Sequence, residues 1–504
     1  MKKRAPQKLP ASNPKKKPFN PEVLDRTVIA IPLLRDLKKN ASKRFDIIID
    51  LNLDYPGGRA EARQRVLELI HRAAPNLREK ERRAWIDQQK SLHSSQYLFG
   101  TLEGRIIRKL VRLDVTPSDE KTKERPPRAI YKIWPDFDVS PLITKSISTV
   151  KADAARNAFA ALGENILWAV MDSGIQRHPH FEKYKNLDVD PPFEHQDYTG
   201  GNSPLTDEFG HGTHVAGIIA GEAGSKNDAP LFAAGRHRDE AGKVSTYTVP
   251  IEQISGMAPK CKLLSLKVLD AQGKGKASNL IAAISYIQEM NGYGRSVRIH
   301  GLNMSVGYDF EPEWFACGQS PLCVEIDRLV KAGVVVVAAA GNTGYGYTTS
   351  KFRGTVASGL GLTINDPGNA ELAITVGSTH RDMPYVYGVS YFSSKGPTGD
   401  GRRKPDLVAP GEKILSCAAP NMIKKIENQL EADKKYLYIE DSGTSMAAPH
   451  VSGVIAAFLS IRREFINQPE KVKEIFVSTA TDLKRDLYFQ GHGLVDLMRA
   501  IQSV

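Results

Sequence analysis

Cysteine is scarce in this chain, with four residues among 504. A disulfide scaffold needs a much higher density, so a hydrophobic core has to hold the fold together. Only Cys317 and Cys323 are close enough in sequence for a local bridge, and we expect both as reduced thiols. The length and the 41% hydrophobic content are those of a globular protein with one large and one smaller domain.

Long apolar runs are also missing. No run approaches the roughly 18–20 apolar residues that a membrane span requires, so we expect no membrane partner. The N-terminus is basic, but the apolar segment of a secretory signal does not follow it. The sequence therefore predicts a cytoplasmic protein.

Acidic residues are under-represented in the first third of the chain. Residues 1–150 contain 32 Lys and Arg against 18 Asp and Glu, a net charge of +14, whereas residues 151–504 contain 37 against 39, a net charge of −2. One interpretation is a catalytically silent scaffold whose basic N-terminal region binds nucleic acid. The other, which we favour, is solubility together with docking against a less basic domain of the same chain.

The composition divides the chain into four segments. Residues 1–43 are polar and basic, and we expect them to be disordered. Residues 44–140 show strands and helices in a β-α-β…α-β order, which predicts a small α+β domain of the ferredoxin-like kind. Residues 141–162 form a linker, and the large domain follows.

The segment 163–504 alternates continuously apolar, strand-like runs with helices. This pattern predicts an α/β domain with a parallel sheet that is covered on both faces. The runs are Ile166–Met171, Leu263–Leu269, Arg298–Val306, Val334–Ala340 and Leu372–Val376. Two stretches look like insertions and are predicted to be surface loops or short excursions. They are 222–254, which is rich in Gly, Lys and Asp, and 421–440, which carries Lys424, Lys425, Lys434 and Lys435.

Three residues in this domain are candidates for chemistry. Ser445 precedes an apolar helical run, so it is either an N-cap residue or a nucleophile at a helix N-terminus. Asp172 ends an apolar strand, as an Asx turn or as a functional carboxylate. His211 lies between two glycines at the start of a buried helix. His214 fits a core histidine better than a metal ligand, because no cysteine or carboxylate follows at zinc-site spacing.

Asp172, His211 and Ser445 together supply a carboxylate, an imidazole and a hydroxyl. A serine hydroxyl is a weak nucleophile until a base takes its proton, and imidazole has a suitable pKa for that near neutrality. A buried carboxylate then holds the imidazole in one tautomer. The Asp–His–Ser chain order distinguishes this set from the other common triads.

On these motifs the chain resembles the subtilisin-like serine proteases, or subtilases, over roughly residues 163–504. The three catalytic motifs and six supporting ones occur in family order. The catalytic matches are Val170–Ile175, Gly210–Gly217 and Gly443–His450, and the supporting ones are Gly256–Pro259, Asn303–Gly307, Ala339–Asn342, Phe392–Pro397, Lys404–Gly411 and Gln490–Gly493. The resemblance implies a subtilisin-like fold and a serine endopeptidase that acts through an acyl-enzyme on extended polypeptide.

The resemblance also implies roles for further residues. Asn342 corresponds to the oxyanion-hole asparagine, which acts with the backbone N–H of Ser445. Two segments correspond to the walls of the substrate cleft, namely Ser305, Val306 and Gly307 on one side and Ala339, Ala340 and Gly341 on the other. The bond between Asp366 and Pro367 corresponds to a region near the cleft floor where the family can hold a cis proline.

The family resemblance extends to the N-terminal third. Residues 44–136 look like a propeptide that assists folding and inhibits the active site as an intramolecular partner. We expect self-cleavage between about Val139 and Lys151. Calcium is frequent in the family, but the sequence shows no run of carboxylates at calcium spacing. We therefore expect no required cofactor and no metal ligand.

Overall fold

A computed structural model of the chain describes most of its residues, and these fall into two units, Met1–Val139 and Ser140–Val504. The described residues are 28–75, 85–91, 94–115, 127–136, 145–224, 230–238, 244–309, 313, 316–350 and 354–504.

The first unit contains a three-stranded antiparallel sheet. Its strands, in spatial order, are Tyr97–Glu103, Arg44–Leu51 and Ile130–Pro135. Its helices are Ile31–Lys39, Gly58–Ala73, Gln88–Ser91 and Gly104–Leu113. Apolar residues at helical spacing, such as Ile107, Leu110 and Val111, pack with the alternating residues Ile47 and Ile49 of the central strand in one core.

This unit has the α+β class that the sequence predicts. An isolated antiparallel bridge joins Ile86 to Gly100 at the sheet edge, where a ferredoxin-like domain would place its remaining strand. The predicted disorder of residues 1–43 does not hold for their described part, since Ile31–Lys39 is a helix with Leu33 and Leu37 fully buried. Residues 1–27 lie outside the described chain.

The second unit is built around a seven-stranded sheet in which each pairing between neighbouring strands is parallel. In spatial order the strands are Leu407–Glu412, Ile374–His380, Val335–Ala339, Gly301–Met304, Leu167–Asp172, Lys262–Lys267 and Gln196–Asp197. This sheet confirms the predicted α/β class, and most of its strands coincide with the apolar runs in the sequence.

Two hydrophobic cores cover the two faces of the sheet. Within one strand, Trp168 and Val170 belong to one core while Ala169 and Met171 belong to the other, because successive strand residues point to opposite faces. The helices of this unit are Lys145–Thr149, Ala152–Phe159, Pro179–Glu182, His211–Ile219, Ala277–Met290, Pro321–Lys331, Pro384–Tyr387, Pro420–Lys424, Thr444–Ile461, Pro469–Thr479, Leu487–Gln490 and Leu497–Gln502, with short 3₁₀ turns at Gly292–Gly294, Glu427–Gln429 and Arg463–Phe465.

The predicted linker 141–162 carries two of these helices. Ile147, Val150 and Ala155 from this stretch are buried in the core beneath the sheet. The sequence predicts a linker here because these helices are short and rich in Ala, Ser and Lys. Its apolar residues nevertheless make it part of the large unit.

Thr444–Ile461, which we call the serine helix, is the central helix of the large unit. Among the described residues it is the one helix whose length and mean hydropathy of 1.4 suit a membrane span, yet 83% of it is buried inside the unit. It is therefore a core helix. Ser, Gly, Pro and His residues interrupt its apolar sequence, so no long apolar run is visible there.

The two predicted surface insertions supply three of the four strands of a second sheet, and Ile414–Cys417 supplies the fourth. The strands of this sheet, in spatial order, are Ile414–Cys417, Tyr436–Asp441, Leu231–Arg238 and Val244–Ile251. The prediction of loops is wrong here, since Tyr438, Ile439, Ala233 and Ala234 are fully buried. Two small hairpin-like pairs complete the strands, Glu222–Gly224 with Gln253–Ser255 and Tyr345–Ser350 with Gly354–Gly359. All four cysteines are free thiols, as expected.

Candidate active site

The candidate carboxylate lies at the carboxyl end of a central strand. Every residue of Leu167–Asp172 is buried, and Asp172 itself is 1% exposed. Oδ1 of Asp172 accepts a hydrogen bond from the backbone N–H of Ser173 at 2.8 Å. Functional groups of open α/β sheets gather at this edge, so the position of Asp172 agrees with a functional carboxylate.

His211 is the first residue of the helix His211–Ile219, which we call the histidine helix. Gly210 before it has a φ of 98°, in the left-handed region that favours glycine. Nδ1 of His211 is 2.8 Å from Oδ1 of Asp172. Because a carboxylate only accepts, Nδ1 carries the hydrogen and Nε2 is the basic nitrogen of the neutral ring.

Neighbouring charges favour the protonated form of His211. Burial by itself lowers the pKa of His211, but the Asp172 carboxylate opposes this through its charge and its hydrogen bond. Asp441 and Asp207 add to that effect, and the pKa of His211 is raised to about 9. The imidazolium that forms when a serine proton is transferred is therefore stabilised where it forms.

His214, on the next turn of the same helix, is a core histidine, as the sequence predicts. It is fully buried, and its Nε2 lies 3.1 Å from the carbonyl oxygen of Ile439. Burial lowers the pKa of His214 to about 4. In the part of the chain that the structure describes, no group of three or more His, Cys, Asp or Glu side chains converges on a metal position.

Ser445 is the second residue of the serine helix and lines the same cleft as His211. Its Oγ donates a hydrogen bond to the carbonyl oxygen of Ser305 at 3.1 Å. Among the described hydrogen bonds none joins Ser445 Oγ to His211. The structure thus joins the carboxylate to the imidazole directly and brings the hydroxyl into the same cleft. Catalytic hydrogen bonds are often completed only when substrate binds.

Asn342 follows the strand Val335–Ala339 and has a defined orientation. Its Oδ1 accepts from the backbone N–H of Thr444 at 2.9 Å and from the hydroxyl of the same residue at 3.1 Å. A backbone N–H can only donate, which identifies this end of the side chain as the oxygen. The NH₂ group is then the end available to the cleft, which Asn342 lines beside Ser445.

Five of the six predicted wall residues line this cleft, whose cavity volume is ≈ 380 Å³; they are Ser305, Val306, Gly307, Ala339 and Gly341. Ala340 is fully buried instead, and its carbonyl oxygen accepts from the N–H of Asn365. It points away from the cleft because neighbouring residues of an extended segment alternate in direction. The bond between Asp366 and Pro367 is cis, as expected, and Asp366 lines the cleft.

Several residues of the cleft are not identified in the sequence. Phe209, Leu269 and Gly273 line it beside His211, and Thr343, Asn365 and Thr444 line it beside Asn342. Of these six residues, Phe209 alone lies close enough to His211 in sequence to be predicted as part of the site. Thr343 and Thr444 adjoin the motif residues Asn342 and Ser445, but those motifs do not indicate which neighbouring side chains face the cleft. Leu269, Gly273 and Asn365 lie outside the nine motifs, so no motif points to them.

A larger cavity of ≈ 640 Å³ lies at the opposite edge of the sheet. Residues at the amino ends of the strands line it, including Leu167, Lys262 and His300. None of the predicted site residues contributes to its lining. The candidate chemistry is therefore confined to the smaller cleft.

Comparison with known proteins identifies this large unit. The model of the subtilase family matches residues 163–493. Serine protease AprX of Bacillus subtilis is 29% identical over 383 residues, covering 74% of this chain and 74% of that protein. Subtilisin E of the same species is 29% identical over 357 residues, covering 71% and 70%. Pyrolysin of Pyrococcus furiosus is 33% identical over 334 residues, which are 58% of this chain and 21% of pyrolysin.

Proposed function

The chain belongs to the subtilase family and is a subtilisin-like serine protease, and we propose on that premise that Asp172, His211 and Ser445 are its catalytic triad. The observation that carries this proposal is the 2.8 Å contact between His211 Nδ1 and Asp172 Oδ1 in a cleft that Ser445 also lines. It is supported by Asn342, whose amide is oriented by the first residue of the serine helix.

Catalysis starts with attack of Ser445 Oγ on the carbonyl carbon of the scissile peptide. His211 Nε2 takes the hydroxyl proton, while the hydrogen on Nδ1 stays with Asp172 and keeps the ring in the productive tautomer. The carbonyl oxygen becomes an oxyanion, which accepts hydrogen bonds from the Asn342 amide and the Ser445 backbone N–H. His211 then gives its proton to the leaving amine as the C–N bond breaks.

The product of that step is an acyl-enzyme ester on Ser445. Water loses a proton to His211 and attacks the ester carbon, and the proton returns to Ser445 Oγ as the acid product leaves. Each step uses side chains that line the cleft or, for Asp172, lie directly behind His211.

The substrate is an extended polypeptide that lies along Ser305–Gly307. The backbone of such a segment pairs with a peptide as an added strand, and the pocket between the two walls takes one side chain. Gly307 also lets this wall pack closely against Asp366, because a Cβ there would collide with the carbonyl oxygen of Asp366.

We also propose that the N-terminal unit is an intramolecular inhibitor that self-cleavage separates from the protease. The alignment with AprX covers 74% of the chain, which is more than residues 163–504 provide, so it reaches ahead of the family match. Ser146, Ile147 and Val150 are buried in the large unit. Within the range Val139–Lys151, cleavage before Lys145 would therefore leave this packing intact.

The experiment compares the wild type with Ser445→Ala and with Ser460→Ala, a serine at the far end of the same helix. Wild type and Ser460→Ala are expected to cleave an unfolded protein, to react with a serine-directed phosphonate and to begin at a new N-terminus after purification. Ser445→Ala is expected to do none of these. Cleavage or labelling that persists in Ser445→Ala would overturn the assignment.

A further inference from the structure

Asp207 is a buried carboxylate four residues before His211, and its exposure is 2%. Oδ1 accepts from the hydroxyl of Ser173 at 2.8 Å and from the N–H of Gly210 at 2.7 Å. Oδ2 accepts from the N–H and the hydroxyl of Thr213, both at 2.7 Å. All four partners donate, so this position requires a group that accepts on both oxygens.

On one side, these bonds hold the start of the histidine helix. Gly210 and Thr213 flank His211, and their N–H groups belong to the first turn, which has no partners within the helix. A buried carboxylate that accepts both fixes the rotation of this turn. The direction in which the His211 ring leaves the backbone is thereby fixed as well.

On the other side, the bonds hold the end of the aspartate strand. Ser173 follows Asp172 directly, and its Oγ donates to Asp207 while accepting from the N–H of Gly212 at 2.9 Å. The hydroxyl thus lies between strand and helix. A Cβ at Gly212 would collide with the carbonyl oxygen of Gly174, so the two elements approach closely at this point.

We propose that Asp207 and Ser173 are positioning residues that hold the His211 imidazole at hydrogen-bond distance from Asp172. The inference rests on the triad assigned under the proposed function. The residue that follows Asp172, Ser173, and the residue that precedes His211, Gly210, both donate hydrogen bonds to the Asp207 carboxylate. The inference follows from these two bonds. Neither Asp207 nor Ser173 lines the cleft, although the Oγ of Ser173 also lies 3.2 Å from Oδ1 of Asp172.

The charges around His211 give this arrangement a second consequence. The groups that face the ring are Asp172 from the strand, Asp441 from the second sheet, Asp207 from the loop and His214 from its own helix. The first three raise the pKa of His211 against the effect of burial, whereas His214 is neutral. Removing the negative charge of Asp207 therefore lowers the pKa of His211.

Asp207→Asn provides the test, because the amide is nearly isosteric but turns an NH₂ group toward donors. With a chromogenic peptide anilide, we expect kcat to fall about ten- to hundredfold, as for misplaced catalytic groups, with little change in KM. The acid limb of the kcat/KM profile should move to lower pH. Ser173→Ala, which keeps the charge but removes the link to the strand, should lower kcat with a smaller movement of the limb.

Asp496→Asn is the matched control. Asp496 is also buried, at 7% exposure, and accepts from the N–H of Arg499 at the start of Leu497–Gln502, away from the cleft. It should lower the Tm without changing kcat or the acid limb. If Asp207→Asn and Ser173→Ala likewise change only the Tm, the positioning role is refuted.

The two proposals fail in different ways. A serine-directed phosphonate that does not label the wild type at Ser445 would refute the triad itself. Labelling of the wild type, together with an unchanged kcat and pH limb in Asp207→Asn, would refute the positioning role alone. Should Asp207→Asn not fold, Ser173→Ala decides the question by the same measurements.

Discussion

At the scale of single residues, the proposed triad predicts that the protonation of His211 sets the working pH of the protease. The base must be neutral to accept the proton of Ser445, and its pKa is raised to about 9. Below that pH the imidazolium predominates, so kcat/KM should fall by about tenfold for each pH unit at constant substrate. A pH profile on a peptide anilide should show an alkaline optimum, and a plateau that reaches down to pH 6 would contradict it.

The same residue makes a contribution to stability with the opposite dependence on pH. Because the folded-state pKa lies above the unfolded value, the interaction with Asp172 stabilises the folded protein fully below the unfolded pKa. That contribution is lost as the pH rises through the folded pKa. Activity and this part of the stability therefore change in opposite directions between neutral pH and about pH 9.

Asn342 allows a test of transition-state stabilisation. Its NH₂ group is available to the cleft because Thr444 binds the oxygen of the side chain. Asn342→Ala should lower kcat by about 10²–10³ with a nearly unchanged KM, because the oxyanion exists only after the hydroxyl has attacked. Steady-state kinetics on a peptide anilide would measure the two constants, and a loss confined to KM would contradict the role. Phosphonate labelling of Ser445 at a reduced rate would show that the nucleophile itself remains.

At the scale of secondary-structure elements, the pairing of two central strands depends on one small residue. Gly301 lies opposite Trp168 in the parallel register, and a Cβ there would collide with the indole ring. Gly301→Ala should lower the free energy of unfolding by about 1–3 kcal/mol through overpacking. Trp168→Ala should cost about 3–5 kcal/mol through the cavity it creates.

The double variant Gly301→Ala with Trp168→Phe identifies the cause. If the collision destabilises the strand pair, the smaller ring should relieve it, and the two changes should destabilise by less than their sum. Urea unfolding in a Ser445→Ala background would measure this without self-digestion. Strict additivity would show that Gly301 acts through its backbone conformation.

The central strands were predictable from the sequence because burial on both faces leaves them continuously apolar, as in Val335–Ala339. The second sheet was not predictable, since its strands are half polar and are separated by polar segments that contain Lys. Strands that are consecutive in sequence form two antiparallel pairs, and the pairing of Tyr436–Asp441 with Leu231–Arg238, about two hundred residues apart in the chain, joins them into one sheet. Contacts so distant in sequence leave no local periodicity.

The candidate site likewise contains residues that the sequence predicts and residues that it does not. Asp172, His211, Asn342 and Ser445 lie in short motifs, and the structure brings them to one edge of the sheet. Asp207 gave no such signal, because an aspartate before a helix is usually an exposed cap. Its function depends on Ser173, which reaches it from another element.

At the scale of the whole molecule, the N-terminal third of the chain differs in charge from the rest. Residues 1–150 carry +14 and residues 151–504 carry −2, and together they give the net +12 of the chain. Self-cleavage near residue 145 would therefore divide a basic protein of pI ≈ 9.3 into a strongly basic fragment and a protease of almost no net charge.

Isoelectric focusing tests both the cleavage and the retention of the fragment. Under denaturing conditions, Ser445→Ala should focus as one basic species, and the wild type should give a basic fragment and a protease that focuses below neutrality. Under native conditions, a wild type whose N-terminal unit stays bound as an inhibitor should focus near the position of Ser445→Ala. Treatment with salt or digestion of the bound fragment should release the protease. The protease should then focus at lower pH, and its activity should rise. A wild type that remains one basic species under denaturing conditions would contradict self-cleavage, since the separation by charge depends on the break in the chain and on nothing else.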